Sequence, residues 1–125
     1  MDRSFLLVGI GGFVGSVTRY LVAVLFSSQI SSVFPFATLT VNVLGCFLIG
    51  ILFALSDRGN LLSPEWRILL TTGFCGGFTT FSTFSYESLR LMQDGEYLYL
   101  AAYVFISVFV GLTATYLGIA LVRSI

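Results

Sequence analysis

Four long apolar stretches, separated by short polar breaks, organise this chain. The first runs from about Ser4 to Phe26 and gives way to Ser27-Ser28-Gln29-Ile30-Ser31-Ser32. The second starts near Phe34-Pro35, with proline tolerated in a first helical turn, and ends at Ser56 before Asp57-Arg58-Gly59-Asn60. The third has the clearest start. Ser63 suits the N-cap, Pro64 the first helical position and Glu65 the first turn, and Trp66 can sit at a membrane interface. It continues to about Met92, and the polar loop Gln93-Asp94-Gly95-Glu96 leads to a fourth stretch from Tyr97 to Val122. Spans 4–26 and 34–56 each hold 23 residues. At the helical rise that is about 35 Å, enough to cross a ~30 Å hydrocarbon core with some tilt. The pattern predicts an all-α integral membrane protein with a single domain over residues 1–125. Its four transmembrane helices are expected at 4–26, 34–56, 64–92 and 97–122.

Charge sharpens this reading. Only 10% of the 125 residues are charged, against about 25% in soluble domains. The six Arg and six acids avoid Tyr20–Ser56, Ile68–Tyr86 and Tyr97–Val122 altogether. A net charge of zero and the lack of a basic stripe argue against nucleic-acid binding. Without His there is no imidazole base or metal ligand. Cys46 and Cys75 sit deep in apolar runs and read as small buried hydrophobes. Ser4–Val14 lacks a signal-peptide cleavage pattern and is kept in the first span. Four spans place both ends of the chain on one side, with Arg3, Arg58, Arg67 and Arg123. Arg90 and Arg19 lie toward the other, a weak bias toward cytoplasmic termini.

The polar residues inside the spans need an account. Gly73-Phe74-Cys75-Gly76-Gly77-Phe78-Thr79-Thr80 is poor material for a straight helix, and Gly76 lies roughly 18 Å from Pro64 at helical rise, near the midplane. Two readings are open: a broken helix whose freed carbonyls coordinate a cation, or a glycine-rich packing face on a continuous one. Phe81 and Phe84 share a face if helix resumes, and their positive ring edges can line an anion path. Ser82 and Thr83, off that face, join them as candidate pore hydroxyls. Thr38, Asn42 and Cys46 form one stripe in the second span; Tyr103, Ser107, Gly111 and Thr115 form another in the fourth. Each can line a wet path or bond within and between helices. Arg19 is either snorkelling or an electropositive vestibule, and Glu87 can pair with Arg90 or Arg19. Gly11 with Gly15, Gly12 with Ser16, Ser107 with Gly111 and Ala114 with Gly118 are small pairs that let helix backbones approach, within or between chains. Four thin helices cannot enclose a pore and bury these groups, so an oligomer is expected.

Three segments together resemble the small bacterial fluoride channel family, the Fluc or CrcB proteins: Gly11-Gly12-Phe13-Val14-Gly15-Ser16-Val17-Thr18-Arg19-Tyr20, Thr38-Leu39-Thr40-Val41-Asn42-Val43-Leu44-Gly45 and Gly73-Phe74-Cys75-Gly76-Gly77-Phe78-Thr79-Thr80-Phe81-Ser82-Thr83-Phe84. The resemblance implies an antiparallel, dual-topology homodimer in the bacterial inner membrane, with two pores that passively export fluoride. It makes Phe81 and Phe84 the pore phenylalanines, Asn42 a pore donor, and Thr38, Tyr103 and Ser107 parts of a polar track. It places Arg19 in the vestibule and a structural sodium ion on the main-chain carbonyls of Gly76 and Thr79 from both subunits. Gly111 stands where the family usually has a hydroxyl. Fluoride, lipid and a second copy are the expected partners, and no enzymatic activity is expected. The alternative reading is a small dimeric proton-coupled multidrug exporter, which needs a midspan carboxylate. A non-transporting assembly subunit would use the same polar stripes for packing alone.

Overall fold

The computed structural model describes residues 2–59 and 61–125; Asn60, in the expected loop after the second span, lies outside them. All regular structure among the described residues is helical. Helix α1 (Arg3–Gln29) starts where the Asp2 carboxylate accepts the Ser4 N–H at 2.7 Å. Helix α2 covers Phe36–Asp57 and helix α6 covers Tyr97–Arg123. The three are long and apolar enough to cross a membrane by themselves. The fourth crossing is composite. Helix α3 (Pro64–Ile68), with Ser63 accepting the Trp66 N–H, runs into a π-helical segment, Leu69–Cys75, and then into a short α4 (Gly76–Phe78). Two extended residues follow, and α5 (Phe81–Gln93) completes the span.

Helix α1 packs along the first half of this interrupted span, and α2 packs along α6. Glycines set both crossings by removing the Cβ that would hold the backbones apart. A Cβ on Gly15 would collide with the Phe74 carbonyl, and one on Gly77 would stand 2.5 Å from the Gly12 oxygen. On the other crossing, a Cβ on Gly118 would strike the Phe47 carbonyl and one on Gly50 the Thr115 carbonyl. Gly11, Gly15 and Gly118 therefore serve contacts within the chain. Large side chains such as Phe5, Phe13, Phe105 and Leu112 point outward, as lipid-facing residues do.

The interruption falls three residues beyond the expected position. Gly76 and Gly77 are helical; Thr79 (φ −96°, ψ 161°) and Thr80 (φ −153°, ψ 124°) are extended. The reason is a competition for one N–H. Thr80 N–H would continue the helix by bonding the Gly76 carbonyl, but it donates instead to Asn42 Oδ1 at 2.8 Å. Thr80 then caps the next helix, its Oγ1 accepting the Thr83 N–H at 3.2 Å. Both readings of the glycine run are thus partly met: the glycines pack, and the threonines break.

Candidate functional site

The interruption opens onto a groove of about 440 Å³ on the surface of the chain. It brings together Asn42 from α2, Gly76 and Thr79 before α5, Phe81 and Phe84 on α5, and Ser107 on α6, with Thr71 and both cysteines also on its walls. Among the described residues no charged side chain lines it. Phe81 is 78% exposed, and its ring centroid lies 5.7 Å from that of Phe84. The Phe84 ring in turn lies 5.0 Å from Tyr103. Ser107 Oγ is buried and has no hydrogen-bond partner among the described residues. That is a costly condition for a hydroxyl unless a bound species meets it.

Asn42 is the pivot of the interruption. Its Oδ1 accepts the Thr80 N–H, and its Nδ2 donates to the Thr80 carbonyl at 3.0 Å. The amide thereby imitates a strand partner for one extended residue. One Nδ2 proton remains for another acceptor. Arg19 closes the break from the opposite side, its Nε donating to the Gly77 carbonyl at 2.9 Å. The Cys75 carbonyl accepts both the N–H and the Oγ1 of Thr79, at 3.0 and 2.8 Å. Among the described residues, the carbonyls of Gly76 and Thr79 accept no hydrogen bond. Unpaired main-chain oxygens are the donor type that a small hard cation takes.

The remaining predicted residues lie apart from the groove. Tyr103 is fully buried, and its hydroxyl donates to Glu87 Oε1 at 2.9 Å. Thr38 is buried on α2. Ser82 is exposed and Thr83 half-buried; both hydroxyls lie within 3.3 Å of Thr80 Oγ1. The expected pairing of Glu87 with Arg90 or Arg19 does not form. Tyr103 takes the Glu87 carboxylate, Gly77 takes Arg19, and Arg90 instead meets Tyr86 and Asp94. Gly111 packs against the Cys46 thiol, where an added Cβ would sit 3.4 Å from the sulfur. Thr115 bonds back to the Gly111 carbonyl at 3.1 Å.

Sequence reasoning missed Thr80, the hinge of the site, although a threonine ahead of Phe81-Ser82-Thr83 is a readable helix start. It also missed the π-helical segment, for which Leu69–Cys75 carries no local signal.

An interrupted span facing a largely apolar groove with a few uncharged polar groups, beside three apolar helices long enough to cross a membrane, marks a small multi-pass membrane protein. Residues 6–119 match the family described as CrcB-like protein, Camphor Resistance (CrcB), and the chain belongs to this family. It is 58% identical to the "Fluoride-specific ion channel FluC" of Chlorobium chlorochromatii, over 94% of this chain and 91% of that protein. It is 56% identical to the protein of the same name in Chlorobaculum tepidum (97% and 95% covered) and 43% identical to that in Leptospira interrogans (98% and 97% covered).

Proposed function

We propose that this protein is a passive fluoride-selective channel, not an enzyme. The observation that carries the reading is the groove itself: Asn42, Phe81, Phe84 and Ser107 line it, and among the described residues no charged side chain does. Fluoride is small and strongly hydrated, so a path must replace water with donors. A hydroxyl, an amide proton and ring edges do this without the fixed charge that would hold the ion too tightly to let it leave. The relatives' names as fluoride-specific channels agree.

A single chain leaves this groove open along one side. The proposed functional unit is an antiparallel homodimer in which a second, inverted copy supplies the missing wall and creates two pores. The unpaired carbonyls of Gly76 and Thr79 would hold a sodium ion between the copies, which fixes the interrupted spans together. Arg19, at the Gly77 carbonyl, would draw anions toward the mouth without entering the path. Export follows from chemistry. Hydrofluoric acid enters uncharged and dissociates inside. An inside-negative potential of 100 mV then favours the anion outside by roughly 2.3 kcal/mol, about a 50-fold concentration ratio. The proton-coupled exporter is not favoured. Glu87, the acid on α5, does not line the groove and is bound by Tyr103.

The test is fluoride efflux from liposomes containing the purified protein. Rapid, electrogenic loss of fluoride without chloride is expected, and Phe81→Ile or Phe84→Ile should slow it sharply. Well-folded protein that passes no fluoride would overturn the proposal. Parent-level flux in both variants would remove the rings from the path.

A further inference from the structure

A second cavity, of about 250 Å³, lies where α2 and α6 end together. Its apolar wall is Phe53, Ala54 and Ile119; its polar rim is Asp57, Arg58 and Arg123. Two facts make this rim unusual. Among the described residues, neither Asp57 nor Arg123 forms an ion pair, although both lie in one small cavity. Arg58 spends its two terminal nitrogens on the carbonyls of Val122 and Ile125, at 2.6 and 2.5 Å. That satisfies main-chain oxygens at the end of α6 and fixes the Arg58 guanidinium at the cavity rim. Arg67 lies over the Phe53 ring, 5.3 Å from its centroid, and holds that wall in place.

The position is the membrane–water boundary, at the ends of two crossing helices. A species matching this rim carries one phosphate for Arg123, one cation with N–H donors for the aspartate, and hydrocarbon for Phe53 and Ile119. We infer that this cavity binds the headgroup of a zwitterionic phospholipid bearing a primary ammonium, a phosphatidylethanolamine. The phosphodiester meets Arg123, whose guanidinium has no ion-pair partner among the described residues, the ammonium meets Asp57, and the acyl chains continue along the apolar wall. Arginine suits the phosphate because its planar fork matches the oxygens. Asp57 is what separates this lipid from the alternatives. A trimethylated choline headgroup offers no N–H donor, and a glycerol headgroup offers no cation. The site is independent of the ion groove, so either proposal can fail alone.

The test is lipid retention by the purified protein in mixed micelles with equal amounts of phosphatidylethanolamine, phosphatidylcholine and phosphatidylglycerol, read by native mass spectrometry. The parent should retain the ethanolamine lipid over the choline lipid by roughly three- to fivefold, the scale of one exposed ion pair. Asp57→Asn should erase that preference and raise retention of the glycerol lipid. Arg123→Gln should weaken retention of all three. Both side chains are exposed, so neither substitution disturbs the packed core. Equal retention of the three lipids by the parent, or an unchanged preference in Asp57→Asn, overturns the assignment. So does displacement of the lipid by water-soluble phosphoethanolamine at equal concentration, because the acyl contacts would then contribute nothing.

Discussion

Replacing Asn42 with alanine removes the two bonds that hold Thr80 extended, Oδ1 to the Thr80 N–H and Nδ2 to its carbonyl. Both Thr80 groups then lose their partner inside the membrane. Side-chain bonds between transmembrane helices contribute about 0.6 kcal/mol on average and about 1.7 at most. An unsatisfied buried polar group costs about 1–3 kcal/mol. Two bonds therefore place the loss near 1–3 kcal/mol. The assay is equilibrium unfolding of purified protein in mixed micelles, run beside fluoride efflux. Asn42→Asp separates structure from conduction. Aspartate keeps an acceptor for the Thr80 N–H but turns a carboxylate oxygen toward the Thr80 carbonyl, so it should unfold at least as early as alanine. Parent-like unfolding in both variants with loss of flux would refute the reasoning. Asn42 would then serve the ion directly, and something else would hold the break.

Gly118→Ala should cost about 1–3 kcal/mol in the same unfolding assay, because its methyl strikes the Phe47 carbonyl, which cannot move without the helix. Gly9→Ala meets nothing within 4 Å and should be neutral or stabilising by up to about 1 kcal/mol. Ser107→Ala removes a hydroxyl with no partner among the described residues. Stability should stay within about 0.5 kcal/mol of the parent while fluoride flux falls roughly tenfold. Exchanging sodium for a large organic cation during purification should lower the unfolding midpoint, and restoring sodium should raise the unfolding free energy by about 1.4 kcal/mol per tenfold concentration above the dissociation constant. A midpoint indifferent to sodium would remove the ion from the Gly76 and Thr79 carbonyls.

The crossing helices were legible because each property that makes them local is local. Ser63 ahead of Pro64 marks one start, and the small pairs Gly11–Gly15 and Ala114–Gly118 mark faces that meet a neighbour. The position of the break was not. Glycine-rich sequence predicts weakness at Gly76, yet helix persists there because Gly77 and Gly73 pack tightly against Gly12 and Gly11 of α1. Thr80 breaks it instead, and only the arrival of Asn42, 38 residues away in sequence, decides that. The same holds for Glu87. Its nearest arginine in sequence loses to Tyr103, a residue on another helix. Helical spacing gathered Phe81 and Phe84 onto one wall, but could not show that Tyr103 and Thr38 are sealed in the interior while Ser107 is among the residues lining the groove.

The interruption at Thr79 and Thr80 does more than free carbonyls. A continuous helix has its opposed terminal charges only at the two membrane surfaces, in water. Cutting this span turns it into two helices and brings one end of each into the interior. The helical run through Phe78 finishes with its negative pole beside Gly76 and Thr79, and α5 begins with its positive pole at Phe81. Each pole is worth about half an elementary charge. The chain thus presents a place suited to a cation and a place suited to an anion within a few residues of each other, using backbone alone. Neither can be titrated away by pH, and both last as long as Asn42 keeps Thr80 extended. A half charge draws an anion inward and still lets it depart.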